Sequence, residues 1–210
     1  MNTDDLIQGL VADEEIRLLR PGIALMLAIV GGAVVAAIIF FAGIGFRHDL
    51  AEAAHHIRFL FKFLVTSSLA VPALALVLPL ARPEASPHGW ALLIAPFLLV
   101  IACAAELFVI PSADWGTRLI GTNARFCLAM IPLLSVGPLA CLMLVMRWGA
   151  PASPGLAGMV AGLAAAGMGA TFYAAHCTDD SPLFVATWYS LASGLVVLAG
   201  FFLGRRVLRW

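Results

Sequence analysis

His176-Cys177-Thr178-Asp179-Asp180-Ser181-Pro182 is a polar break between two apolar runs, 155–175 and 184–204. Each run is near the ~20 residues that an α-helix needs to cross the hydrocarbon core of a bilayer. The stretch therefore reads as a short loop joining two membrane-spanning helices. Working outward, four more runs of the same kind lie at 22–46, 59–81, 90–110 and 126–146. Six spans leave little chain for a soluble domain, so the expected fold is all-α and polytopic, with six transmembrane helices in a single bundle. Strands are excluded, because an open sheet cannot satisfy its backbone in lipid.

Composition agrees. Of 210 residues, 62% are hydrophobic and 11% charged, less than half of the roughly one quarter charged in soluble domains. The formal net charge is zero and no basic stripe lies outside the spans, which points away from direct nucleic-acid binding. There is no Cys-x-x-Cys, so a thioredoxin-type oxidoreductase is unsupported. No enzymatic activity and no cofactor are expected. The loop's chemistry lies in one thiol, one imidazole and two carboxylates.

Sidedness follows from charge. Asp4, Asp5, Asp13, Glu14 and Glu15 make 1–21 the opposite of a positive signal-peptide start, so the first span is expected to be retained. An even number of spans places both termini on one side. The ending Gly204-Arg205-Arg206-Val207-Leu208-Arg209-Trp210 sets three arginines against the last span, a cytoplasmic signature by the positive-inside rule. The expected organisation is a cytosolic amphipathic helix at 1–21, a six-span domain at 22–204 and a basic cytosolic tail at 205–210. The expected location is a bacterial inner membrane.

Within 1–21, Thr3 can cap a helix, and Asp4 and Asp5 suit its positive end. Leu6, Ile7, Leu10 and Val11 recur on one face, and Pro21-Gly22 stops the helix before the first span. Two roles remain open: a helix lying on the bilayer, or one docking in a partner's groove.

Between the first two spans, His48, His55 and His56 suggest a metal, but adjacent histidines on a helix point about 100° apart, so a solvated interfacial loop is expected. Glu106, near the outer end of the third span, is expected to reach the interface and pair with Arg118 or Arg125. Asp114, Trp115, Arg118 and Asn123 read as headgroup-level anchors. Gly158, Gly162, Ala166 and Ala170 form a small-residue face on the fifth span, suited to close helix contact within or between chains.

Cys103 falls near mid-membrane and Cys141 toward the cytoplasm, both as packing residues. Cys127 and Cys177 fall at the outer ends of the fourth and fifth spans, on an oxidising side. Spacing alone leaves two alternatives, unrelated packing cysteines or a redox pair. Ser181-Pro182 reads as the start of the sixth helix, with Asp179 and Asp180 as its caps. His176 is the candidate cation for activating the Cys177 thiol, an effect the two aspartates would oppose.

The opening Met1-Asn2-Thr3-Asp4-Asp5-Leu6-Ile7 with Leu10 and Asp13, the string 176–184 with Trp188, and the arginine-rich ending resemble the NrsF family of bacterial inner-membrane anti-sigma factors. So does the six-span layout. The resemblance covers the whole chain, and Cys-x-Asp-Asp-Ser-Pro is its most specific string. It implies a protein that holds an extracytoplasmic-function sigma factor inactive at the membrane, bound through residues such as Thr3, Asp4, Asp5, Leu6, Ile7, Leu10 and Val11. It also implies that Cys127 and Cys177 are the sensing pair, released under oxidative or heavy-metal stress, with His176, Asp179, Asp180, Ser181 and Pro182 as the sensor loop. The family often has proline after the loop cysteine. Thr178 stands there in this chain, which affects the turn and not the thiol. The rival from another class is a small membrane transporter or metal-handling protein, using Cys127, His176, Cys177 and Asp179 at the rim. Transporters usually bind near the midplane.

Overall fold

In a computed structural model, six long helices account for the predicted spans. The structure describes residues 3, 7, 8, 20–83 and 89–209. The long helices are α1 (Pro21–Gly43), α2 (Ile57–Leu80), α3 (Ile94–Val109), α4 (Ala124–Met146), α5 (Pro154–Ala174) and α6 (Ser190–Val207). No strand occurs among the described residues. Among the described residues, six helical segments are long and apolar enough to cross a membrane. Pro21 sits at the first position of α1, not in a linker before it. Proline is suited to that position, since its missing N–H would have no helical partner anyway.

The helices alternate in direction. One end of the bundle, the loop end, gathers 44–56, 110–123 and 175–181. The other, the tail end, gathers 81–83, 89–93, 147–153 and the end of α6. α5 is the most buried of the six and packs against α6, α2 and α4. α1 packs against α4, and the α3 segment is the least buried within the bundle.

Small residues set these contacts. A Cβ on Gly158 would strike the carbonyl oxygen of Gly200, and a Cβ on Gly204 would strike that of Pro154. The predicted small-residue face thus works within the chain, as an α5–α6 seam of near backbone-to-backbone approach. Its neighbour Gly167 meets Ala70 of α2, and Gly169 meets Ile131 and Ser135 of α4. Around the tail-end half of α5, Ala157, Ala161, Ala164 and Ala165 join Val77, Leu142 and Met146 in one dry core.

The sixth apolar segment is not uniform. It begins with Pro182–Phe184, passes through one π-helical turn at Val185–Tyr189, and continues as α6. The sequence gives no sign of that turn. Thr187 Oγ1 donates to the Leu183 carbonyl, 2.9 Å away, on its inner edge.

Candidate functional site

The loop 176–182 is the hub of the loop end, and its polar residues together reach several other segments of the bundle. His176 Nδ1 lies 3.0 Å from the Gly45 carbonyl, just past α1. The Asp180 carboxylate accepts from Arg47 at 3.0 Å and pairs with Lys62 of α2. Lys62 Nζ also donates to the Cys177 carbonyl at 2.7 Å. Arg47 in turn grips Asp49. That contact holds the Asp49 carboxyl down at about 2 and raises the Arg47 guanidinium.

Lys62 is fully buried. A charge taken out of water persists only when paired and hydrogen-bonded, and the Asp180 carboxylate with the Cys177 carbonyl supplies both conditions. Lys62 was missed at the sequence level. The available signal was a lysine five residues inside an apolar helix, where an ionisable group marks function by default.

The two aspartates and Ser181 do not divide the work as predicted. Asp179 caps no part of the sixth helix. Its carboxylate accepts from the backbone N–H groups of Thr122 (3.1 Å) and Asn123 (2.8 Å) and from Asn123 Nδ2 (2.9 Å), at the start of α4. Asp180 is committed to Arg47 and Lys62. The cap comes instead from α3. Glu106 Oε2 accepts from the Leu183 N–H at 3.2 Å and from Ser181 Oγ at 2.7 Å. An anion there suits the unsatisfied N–H groups of a helix start. Glu106 is buried, not raised to the interface. Its Oε1 has no hydrogen-bond partner but lies 3.6 Å from Arg118 and 3.7 Å from Arg58. The pairing with Arg118 holds as expected. Arg58 takes the place offered to Arg125 because α2, and not the start of α4, runs beside the end of α3.

Of the predicted headgroup anchors, Asp114 and Trp115 are exposed, and three of the four also make contacts at the loop end. Asn123 belongs to the Asp179 clamp, Arg118 to Glu106, and Trp115 Nε1 donates to the Ile110 carbonyl at 3.1 Å. Trp188 Nε1 donates to the Leu119 carbonyl at 2.8 Å, fixing the π turn to the 115–120 helix.

All four cysteines are free thiols. Cys127 and Cys177 are both fully buried and share one core cluster with Tyr173, Phe184 and Tyr189. They lie at the ends of α4 and α5 as predicted, but beneath the loop and not on an exposed surface. Burial pushes the Cys177 thiol up, and the positive charge of Lys62 opposes that. The cation beside the thiol is thus Lys62. His176 has turned its ring to Gly45, between Tyr173 and Phe126. Among the described residues, the hydroxyls of Tyr173 and Tyr189 are buried without a hydrogen-bond partner, in the same cluster as Cys177. Cys103 Sγ, half-buried on α3, lies 3.5 Å from the Pro182 carbonyl. Cys141 packs beside the tail-end core.

Among the described residues, no three of His, Cys, Asp and Glu come together as a metal ion would need. This covers His48, His55 and His56 and also the set Cys127, His176, Cys177 and Asp179. Of the predicted partner-binding residues, Thr3 and Ile7 are helical and exposed. Asp4, Asp5, Leu6, Leu10 and Val11 lie outside the described residues.

A family model described as NrsF, negative regulator of sigma F, matches residues 10–210. The chain belongs to the NrsF family. It is 34% identical to the anti-sigma-F factor NrsF of Caulobacter vibrioides (strain NA1000 / CB15N) over an alignment of 218 residues covering all of both chains. It is likewise 34% identical, over 215 residues and again the whole of both, to the probable anti-sigma-F factor NrsF of Azospira oryzae (strain ATCC BAA-33 / DSM 13638 / PS). No solved structure matches the chain. Within this NrsF-family chain, the Cys-x-Asp-Asp-Ser-Pro string is the segment that ties Arg47 (just past α1), α2, α3 and the residues before α4 to the start of the sixth helix.

Proposed function

We propose that this protein is a membrane-bound anti-sigma factor. It holds an extracytoplasmic-function sigma factor at the cytosolic face of a bacterial inner membrane and releases it when Cys127 and Cys177 respond to oxidative or heavy-metal stress. The observation that carries the regulatory part is full-length kinship with proteins named as anti-sigma-F factors. The sensing part is supported by two buried thiols in one cluster beneath the loop.

In this reading both termini are cytosolic. The helix at 1–21 contributes Thr3, Asp4, Asp5, Leu6, Ile7, Leu10 and Val11 to the sigma-factor interface, and the tail 205–210 anchors α6. The protein acts on a sigma factor and not on nucleic acid directly. Reaction at Cys127 and Cys177 changes how α4 and α5 meet, and the bundle carries the change inward. Moving a two-state equilibrium from 1:99 to 99:1 takes about 5.5 kcal/mol, whereas one disulfide is worth about 2–4 kcal/mol. The resting state must therefore be poised, with polar contacts of the loop opposing release.

The test is sigma-dependent promoter output in cells carrying Cys127→Ser, Cys177→Ser and both, before and after oxidant or cadmium, with co-purification of the sigma factor. Partner retained but no longer released by stress is the expected result. Unchanged output in every strain, with no partner recovered, would overturn the proposal.

A further inference from the structure

The Asp179 clamp links the two segments that carry Cys127 and Cys177 in a way that neither the loop string nor the cysteine spacing conveys. Cys127 N donates to the Asn123 carbonyl at 2.8 Å. Asn123 donates through its backbone N–H and its Nδ2 to the Asp179 carboxylate, and its Nδ2 also donates to Thr178 Oγ1 at 3.0 Å. Asp179 is two residues from Cys177, whose Sγ lies 3.8 Å from the Asp179 carbonyl. A continuous chain of contacts thus runs from Cys127 through Asn123 and Asp179 to Cys177. Gly121 makes it possible. Its φ of +59° is a conformation that side chains disfavour, and a Cβ there would lie 2.9 Å from the Asp179 Cγ and 2.5 Å from the Phe184 ring. The turn at Gly121 brings the Thr122 and Asn123 N–H groups to one carboxylate.

We propose that Asp179 is a positioning residue that holds Cys177 in register with Cys127, so that the two thiols bridge on oxidation. This rests on the sensing role given to that pair above. Asp180 differs, since it holds the loop to Arg47, just past α1, and to Lys62 of α2. Bridging removes one S–H hydrogen from each cysteine and forms one S–S bond. With glutathione disulfide as oxidant, the two electrons and two protons end on two glutathione thiols. The equilibrium constant of that exchange is the effective concentration of one thiol at the other, which rises when the two are held together.

The experiment equilibrates the purified full-length chain, in detergent, with mixtures of reduced and oxidised glutathione. The Cys127–Cys177 bridge is then quantified by peptide mass analysis. Asp179→Ala is expected to lower the effective concentration about tenfold. Asp179→Asn keeps one acceptor oxygen and is expected to lower it about threefold, and Gly121→Ala is expected to act in the same direction as Asp179→Ala. Arg58→Ala, which removes a contact of a side chain 43% exposed at the rim, is expected to stay within about twofold of the parent. Parent-like values for Asp179→Ala, in protein that melts like the parent, would overturn the clamp and leave the sensing pair standing. Should Asp179→Ala fail to fold, a parent-like Asp179→Asn overturns it equally. An Arg58→Ala loss as large as that of Asp179→Ala would also overturn it. A parent chain that forms no such bridge at any ratio would bring down the sensing pair and the clamp together.

Discussion

The two ends of the bundle are held by different physics. At the tail end, α5 and α6 meet through Gly158, Gly200 and Gly204, over a core of alanine, valine, leucine and methionine. That contact is close, dry and without charge. At the loop end, the same α5 runs into a string whose carboxylates and backbone are gripped by Arg47, Lys62, Asn123 and, through Ser181, Glu106. Packing of the first kind resists any change in shape. Contacts of the second kind are few, directional and open to chemistry. A regulator embedded in a membrane needs both: a seam that does not yield and a latch that can.

The largest effect that would break this contrast is at Lys62. Removing one partner of a buried ion pair strands the other, at a cost of about 3–5 kcal/mol. Lys62→Met is expected to lose that much in denaturant unfolding of the detergent-solubilised protein. A loss below about 1 kcal/mol would mean that Arg47 alone satisfies Asp180 and that the latch is shallow. Next comes the seam. Gly158→Val places a side chain against the Gly200 carbonyl, and overpacking typically costs about 1–3 kcal/mol. It is expected to lower the unfolding midpoint while leaving the glutathione equilibrium of Cys127 and Cys177 unchanged. A shift in that equilibrium would show that the two ends are mechanically one. Glu106→Gln keeps an acceptor for Ser181 and Leu183 but discards the charge that faces Arg58 and Arg118. About 1–2 kcal/mol is expected, read by the same unfolding curve. Smallest is Arg58→Ala, which removes a 3.7 Å contact made by a side chain 43% exposed. It should cost less than about 0.5 kcal/mol, and a larger value would move Arg58 into the latch.

How much of this could be read from the chain differs between the ends. The tail-end seam was legible, because Gly158, Gly162, Ala166 and Ala170 recur at helical spacing and small residues have few other uses in an apolar run. The loop itself was legible too, as the densest chemistry in the sequence. Its partners were not. Ser181 meets Glu106 across 75 residues of chain, and no local pattern states which helices will stand side by side. Asp179 and Asp180 stand just before a helix start, so capping was the natural local inference, yet the tertiary fold gave the cap to Glu106 and freed both aspartates for other helices. Lys62 went unremarked because periodicity cannot distinguish an exposed from an enclosed face on a helix apolar on every side. The burial of Cys127 was hidden for the same reason, and that of Cys177 depends on which side chains cover its loop.

The π turn at Val185–Tyr189 gives the sixth segment a definite phase. Such a turn houses one residue more than the α-helix would, and about 100° of rotation separates neighbouring residues along a helix. Were the turn to regularise, everything beyond it would swing by that angle. Gly200 and Gly204 would leave Gly158, and bulkier neighbours would arrive where only a hydrogen atom fits. The glycine seam thus acts as a rotational stop: the surplus residue stays lodged beneath the thiols for as long as the far end of the same helix remains seated.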